Sequence, residues 1–207
     1  MNVINGGAHA GNALPKQEYM IAPAGAKDFV EALKMATETY PHLKSIIKAK
    51  YGLDATNLGA EGGFAHPLLD VEEPLRLLVA AIYKAGYTGK SKICMDVAAS
   101  EFYVDGKNDL GKWADTPNIV TGEDLTALYL DWPERYPIVS NEDPFDQMEI
   151  KNWAHCVSKM PKHVQNVADD LSVTQKERIE WIFKEKGATA HLLKINQCGS
   201  ITDSFDA

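Results

Sequence analysis

Four short apolar runs, residues 92–97 (KICMDV), 137–141 (PIVSN), 164–168 (VQNVA) and 191–196 (HLLKIN), alternate along the chain with longer segments of helical period. Strand-length runs separated by helices predict βα units on a parallel sheet, either an open doubly wound sheet or a closed barrel. The first helical segment places Phe29, Leu33, Ala36, Tyr40, Leu43 and Ile47 at steps of four and three, which line one face. Pro41 falls inside it, and a mid-helix proline costs about 3 kcal/mol or kinks the helix, so a bend or break is expected near Thr39. A second helix follows Asp70, carrying Leu75, Leu78, Val79 and Ile82 to a stop at Gly86, and a third carries Leu125, Leu128, Tyr129 and Trp132. A fourth is expected to open at Thr174 with Glu177 three residues on, a capping box, and to bury Ile179, Ile182 and Phe183. No linker, repeat or low-complexity tract interrupts the series, so residues 1–207 read as a single domain.

A charged residue stands at or just beyond the C-terminal end of each run: Asp96, Glu142, Asp169 and Lys194. In a parallel barrel the active site is built from the C-terminal ends of different strands, so these four would converge. They lie 46, 27 and 25 residues apart, against roughly 30 residues per unit in a barrel of this type. The longer step leaves room for an excursion, and residues 103–118 (YVDGKNDLGKWADTPN) have its polar, glycine-containing character. Three converging carboxylates make an oxygen-only site that suits Mg²⁺ better than zinc or copper. The same spacing also fits helix caps and solvated loop residues. A lysine in an apolar strand such as Lys194 also fits one snorkelling to the surface. Asp143 and Asp170, the neighbours of two of the carboxylates, read as structural.

The net charge of −8 disfavours nucleic acid or an anionic membrane as the main partner. Cys94, Cys156 and Cys198 are odd in number, far apart and without a CxxC pair, so neither a disulfide framework nor a thiolate metal site is expected, which fits a reducing cytoplasm. There is no apolar run of membrane-spanning length, and the start MNVINGGAHAGN lacks the regions of a secretory signal.

The segments NGGAHAGN (5–12), QEYMIAP (17–23), AEGGFA (60–65), MDVAASEFY (95–103), SNEDPF (140–145), VADDLSVT (167–174) and LLKINQCGS (192–200) occur in the order and near the spacing of the motifs of enolases. The chain therefore resembles an enolase over essentially its whole length. The resemblance implies an incomplete TIM-like (β/α) barrel, that of the enolase C-terminal domain. It also implies a Mg²⁺-dependent phosphopyruvate hydratase that interconverts 2-phosphoglycerate and phosphoenolpyruvate in glycolysis and gluconeogenesis, cytoplasmic and homodimeric at full length.

Carried over by position, the resemblance makes Asp96, Glu142 and Asp169 the Mg²⁺ ligands, the last two also facing substrate. Lys194 becomes the general base and Glu61 the general acid, with His9 and Glu18 contacting substrate or assisting the acid. The base would be kept neutral by a nearby cation and partial burial, and Glu18 and Glu61 would raise each other's proton affinity. The sequence departs from the family at Ala60, where Asp is usual, at Pro41, where the helix is continuous, and at His66, where proline is usual. An N-terminal α+β domain and the later barrel strands, with a second lysine, a histidine and a Ser-Arg pair, have no counterpart here, so the chain is expected to be an internal stretch. A non-catalytic enolase-like binding or structural protein is the alternative reading.

Overall fold

A computed structural model describes residues 1–66 and 70–207. Its main sheet has six strands in the order β1 (Asn2–Asn5), β2 (Glu18–Ala22), β3 (Lys92–Asp96), β7 (Ile138–Glu142), β8 (Gln165–Ala168) and β9 (Ala190–His191). From β3 to β9 every pairing is parallel, as the alternation predicts, whereas β1, β2 and β3 pair antiparallel. The sheet is open, with β1 and β9 at its edges. Sequence reasoning missed β1 and β2. The last strand is also shorter than the run at 191–196 implied: Ile195 already opens the short helix α6 (Ile195–Cys198), so Lys194 lies in the connection and not within a strand.

The long step between Asp96 and Glu142 does contain an excursion, a separate three-stranded antiparallel sheet of β4 (Tyr103–Val104), β5 (Lys107–Asp109) and β6 (Ile119–Val120). It leads into α3 (Gly122–Arg135), whose start is fixed by a reciprocal Thr121–Asp124 capping box. Leu125, Tyr129 and Trp132 of α3 are buried. Tyr129 meets Phe145 edge to face at 5.8 Å, and Phe145 meets Trp153 of α4 (Ile150–Lys159) at 6.4 Å. Such pairs add to the area they remove from water and set the helices against the strand ends.

Helix α1 (Phe29–Tyr51) runs unbroken through Pro41, against the expected bend or break. Proline removes one backbone donor; the Asp28 cap on Glu31 N (2.8 Å) and the burial of Met35, Ala36, Thr39, Leu43 and Ile47 hold the remaining turns. The buried stripe is rotated from the expected one, for Phe29 and Leu33 are exposed. Helix α2 (Glu73–Lys84) packs on α1 and buries Leu75, Leu78 and Ile82 as expected, whereas Val79 is exposed. His66 also gains a physical account: its ring lies 4.2 Å from that of Tyr51 and its carbonyl accepts from Asn12. Helix α5 (Lys176–Glu185) corrects two expectations. Its N-cap is Gln175, without a side-chain cap, so Thr174 and Glu177 form no capping box. Ile182 is buried, but Phe183 is exposed. Among the described residues, no helix is long and apolar enough to cross a membrane.

Candidate active site

Strand register brings the acidic residues together. Glu18 pairs with Asp96 across β2 and β3, and Asp96 pairs with Glu142 across β3 and β7, so three carboxylates lie in a row on neighbouring strands. Directly paired residues point to the same face of a sheet at about 5 Å spacing. Asp169 follows β8 immediately, and Lys194 follows β9 by three residues. His9 and Glu61 arrive on short single-turn helices, Gly7–His9 and Ala60–Gly62. All seven residues singled out from the sequence line one cleft of about 430 Å³, together with Gln17, Glu101, Asp143 and Asp170.

The two single-turn helices are held closely. A side chain at Gly59 would strike the His9 carbonyl at 2.6 Å, and one at Gly63 would strike Asn5 Oδ1 at 2.2 Å, so glycine is required for the Glu61 turn to sit against the His9 segment. Tyr40 Oη donates to the Gly62 carbonyl (2.6 Å), and Glu61 itself has a left-handed backbone, φ 56°. Further non-glycine residues with positive φ include Ala98 and Asp143, just past the ends of β3 and β7, and Val173 and Thr174, in the connection from β8 to the next helix. Such conformations persist where the surroundings over-determine them, commonly at sites of function.

Hydrogen bonds orient the carboxylates of Asp96, Asp143 and Asp169. Asp96 Oδ1 accepts from Ala98 N (2.9 Å) and Oδ2 from Gln17 Nε2 (3.1 Å). Asp143 accepts from the amides of Asp169 (3.0 Å) and Asp170 (2.8 Å), the structural part expected of it. Asp169 accepts from Gln197 Nε2 (2.9 Å) through one oxygen and from Lys194 Nζ through the other. His9 Nδ1 lies 3.2 Å from Glu18 Oε1. Gln17 and Gln197 were missed from the sequence, since a glutamine carries no charge to mark it; each stands next to or three residues from a residue that was found.

Burial pushes Glu142 up to about 9, helped by the charges of Asp96, Asp143 and Asp169. It pushes Asp96 up to about 7, helped by Glu18, and Asp143 up to about 8. Glu18 rises to about 7 through burial and then the charge of Glu61, the direction expected for that pair. Burial alone would lower Lys194, but its hydrogen bond to Asp169 and the charges of Asp169, Glu142 and Asp170 raise it, opposite to the lowering expected beside a cation.

The cleft thus gathers more carboxyl groups than its one lysine could balance if all were ionised, and their crowding favours the proton-bound form. Among the described residues, two groups bring ligand atoms within 4.8 Å of one another, His9 with Glu18 and Glu61, and Asp143 with Asp169 and Asp170. The expected trio of Asp96, Glu142 and Asp169 shares only Asp169 with them.

A family model described as the enolase C-terminal TIM barrel domain matches residues 1–207. The chain is 53% identical over 210 residues to Enolase 2 of Hevea brasiliensis, an alignment covering 100% of this chain and 47% of that protein. It therefore spans about half the length of the curated relative it matches.

Proposed function

The chain belongs to the enolase family, and on that premise we propose that it carries the metal-binding and acid–base residues of a lyase, phosphopyruvate hydratase, acting on 2-phosphoglycerate and phosphoenolpyruvate. The observation that carries this reading is the meeting of a lysine, a row of buried carboxylates and a loop glutamate in one cleft, from segments far apart in sequence. The donor set fits a hard divalent cation: Asp96, Glu142 and Asp169 offer carboxylate oxygens alone, and burial with mutual repulsion makes Asp96 and Glu142 costly to ionise without a cation beside them. These three would hold Mg²⁺. Asp143 is the weaker ligand, because both its oxygens already accept backbone amides. When bound, the ion stabilises negative charge developing on the substrate carboxylate.

In this reading Lys194 removes the proton from the carbon beside that carboxylate, and Glu61 gives a proton to the departing hydroxide. Glu18, whose proton affinity is raised, lies beside His9 at the same end of the cleft and supports the acid. The full-length protein would be a cytoplasmic, homodimeric enzyme of glycolysis. The test is to graft residues 1–207 in place of the matched region of a full-length enolase and follow phosphoenolpyruvate formation. Turnover that requires Mg²⁺ is expected; a folded, Mg²⁺-binding graft that is inert would sink the catalytic reading.

The buried carboxylates also make stability depend on pH. A carboxyl whose folded pKa is raised binds its proton more tightly in the folded than in the unfolded chain. Its contribution is complete below about pH 4 and is lost as the pH rises through the folded values, here about 7 to 9 for Asp96, Asp143 and Glu142. Metal-free protein is therefore expected to melt several degrees lower at pH 8.5 than at pH 6, and saturating Mg²⁺ is expected to shrink that gap. Thermal melts across that range, with and without the ion, check it; a gap that Mg²⁺ leaves unchanged would place the ion elsewhere.

A further inference from the structure

Thr174 is fully buried, and its hydroxyl, free of the expected helix cap, is used twice. Thr174 Oγ1 accepts from the backbone N–H of Lys194 (2.9 Å) and donates to Gln197 Oε1 (2.9 Å). With its oxygen so engaged, the Gln197 amide turns its Nε2 to Asp169 Oδ1 (2.9 Å). The other Asp169 oxygen meets Lys194 Nζ, which closes a ring of four residues. The backbone that presents Thr174 is unusual. Val173 and Thr174, both β-branched, are left-handed in succession, at φ 43° and 52°, a conformation rarely adopted by such residues. A relaxed turn into α5 would aim the hydroxyl elsewhere.

We propose that Thr174 and Gln197 are positioning residues that fix the plane of the Asp169 carboxylate relative to Lys194, acting through one relay. The inference rests on the reading of Asp169 as a metal ligand and Lys194 as a base. A single hydroxyl can accept one bond and donate another at the same time, so Thr174 sets both where the Lys194 backbone begins and which way the Gln197 amide faces. A glutamate at 197 would turn an oxygen toward Asp169, which explains an amide at this place. Groups that hold a ligating carboxylate from behind alter metal affinity about 10- to 100-fold when removed.

Mn²⁺ binding to a full-length enolase carrying residues 1–207 in place of its matched region, read by electron paramagnetic resonance of the free ion, tests the relay without needing turnover. Gln197→Leu and Thr174→Val are each expected to weaken binding about tenfold or more. Thr174→Ser, which keeps the hydroxyl, restores it, and the Thr174→Val, Gln197→Leu double variant is no worse than either single one. A merely structural Thr174 would lower the melting temperature and leave the Mn²⁺ affinity alone, which overturns the proposal. Should Thr174→Val fail to fold, Gln197→Leu, half-buried in α6, carries the test by itself. Wild-type affinity in Gln197→Leu overturns the relay while the metal reading stands. A wild-type graft that does not bind Mn²⁺, or binds it equally well as Asp96→Asn, overturns the metal reading and the relay with it.

Discussion

Lys194→Ala, in a full-length enolase carrying this segment, will lower exchange of the substrate's α-proton with solvent by about 10³-fold or more, the scale of a positioned general base. Divalent-ion binding will be retained. The two halves of that expectation come from the same contact. Lys194 Nζ now donates to Asp169 Oδ2, so alanine removes the proton acceptor of the reaction and at the same time leaves Asp169 with one fewer competitor for its oxygen. Partial burial of both partners makes the pair more than a surface ion pair, since Asp169 is 8% exposed at its side chain and Lys194 42%. Proton exchange followed by deuterium incorporation separates abstraction from the later loss of hydroxide. Exchange at the wild-type rate would remove Lys194 from the chemistry. Loss of exchange together with loss of ion binding would make it a structural partner of Asp169 instead.

How much of this was legible depended on whether the signal was local. The strand ends were, because the alternation of apolar runs and helical periods is a one-dimensional pattern: Asp96, Glu142 and Asp169 are at or next to the ends of β3, β7 and β8. The register that sets Glu18 beside Asp96 was not, because β2 (EYMIA) is short and pairs antiparallel with a strand more than 70 residues on. Thr174 was misread for a related reason. Its spacing to Glu177 satisfies the local rule for a cap, but a hydroxyl bonds whichever partners the fold supplies, and here tertiary partners at 194 and 197 displaced the helix's own amides. Pro41 was overweighted, since the rule for proline gives the loss of one bond and not the 23-residue helix and buried stripe that absorb it. Exposed Phe183 shows the remaining gap: periodicity names an apolar face without naming what lies against it.

Lys16→Met will stabilise the fold by about 2 kcal/mol, the scale of an unpaired buried polar group, which for a chain of this size raises the melting temperature by roughly 5 °C. Lys16 is fully buried, and its Nζ has no hydrogen-bond partner among the described residues. It sits 3.5 Å from the centre of the Trp132 ring and 4.6 Å from that of Tyr129. Burial drives its pKa well below the usual lysine range. The aromatic faces attract a cation, but they do not replace the hydration that an ammonium loses. Methionine has similar length, and its sulfur is favourable against the same rings. The sign of the pH dependence follows from the depressed folded pKa. The unfolded chain binds the proton more tightly, so the Lys16 contribution to wild-type stability grows as the pH rises toward the unfolded lysine value and falls as the pH falls, opposite in sign to that of the cleft carboxyls. The advantage of Lys16→Met should therefore be large at pH 7 and shrink by pH 9.5. An advantage that does not change with pH would mean that Lys16 keeps its charge between the rings. A variant no more stable than wild type would mean that the rings offset the lost hydration in full.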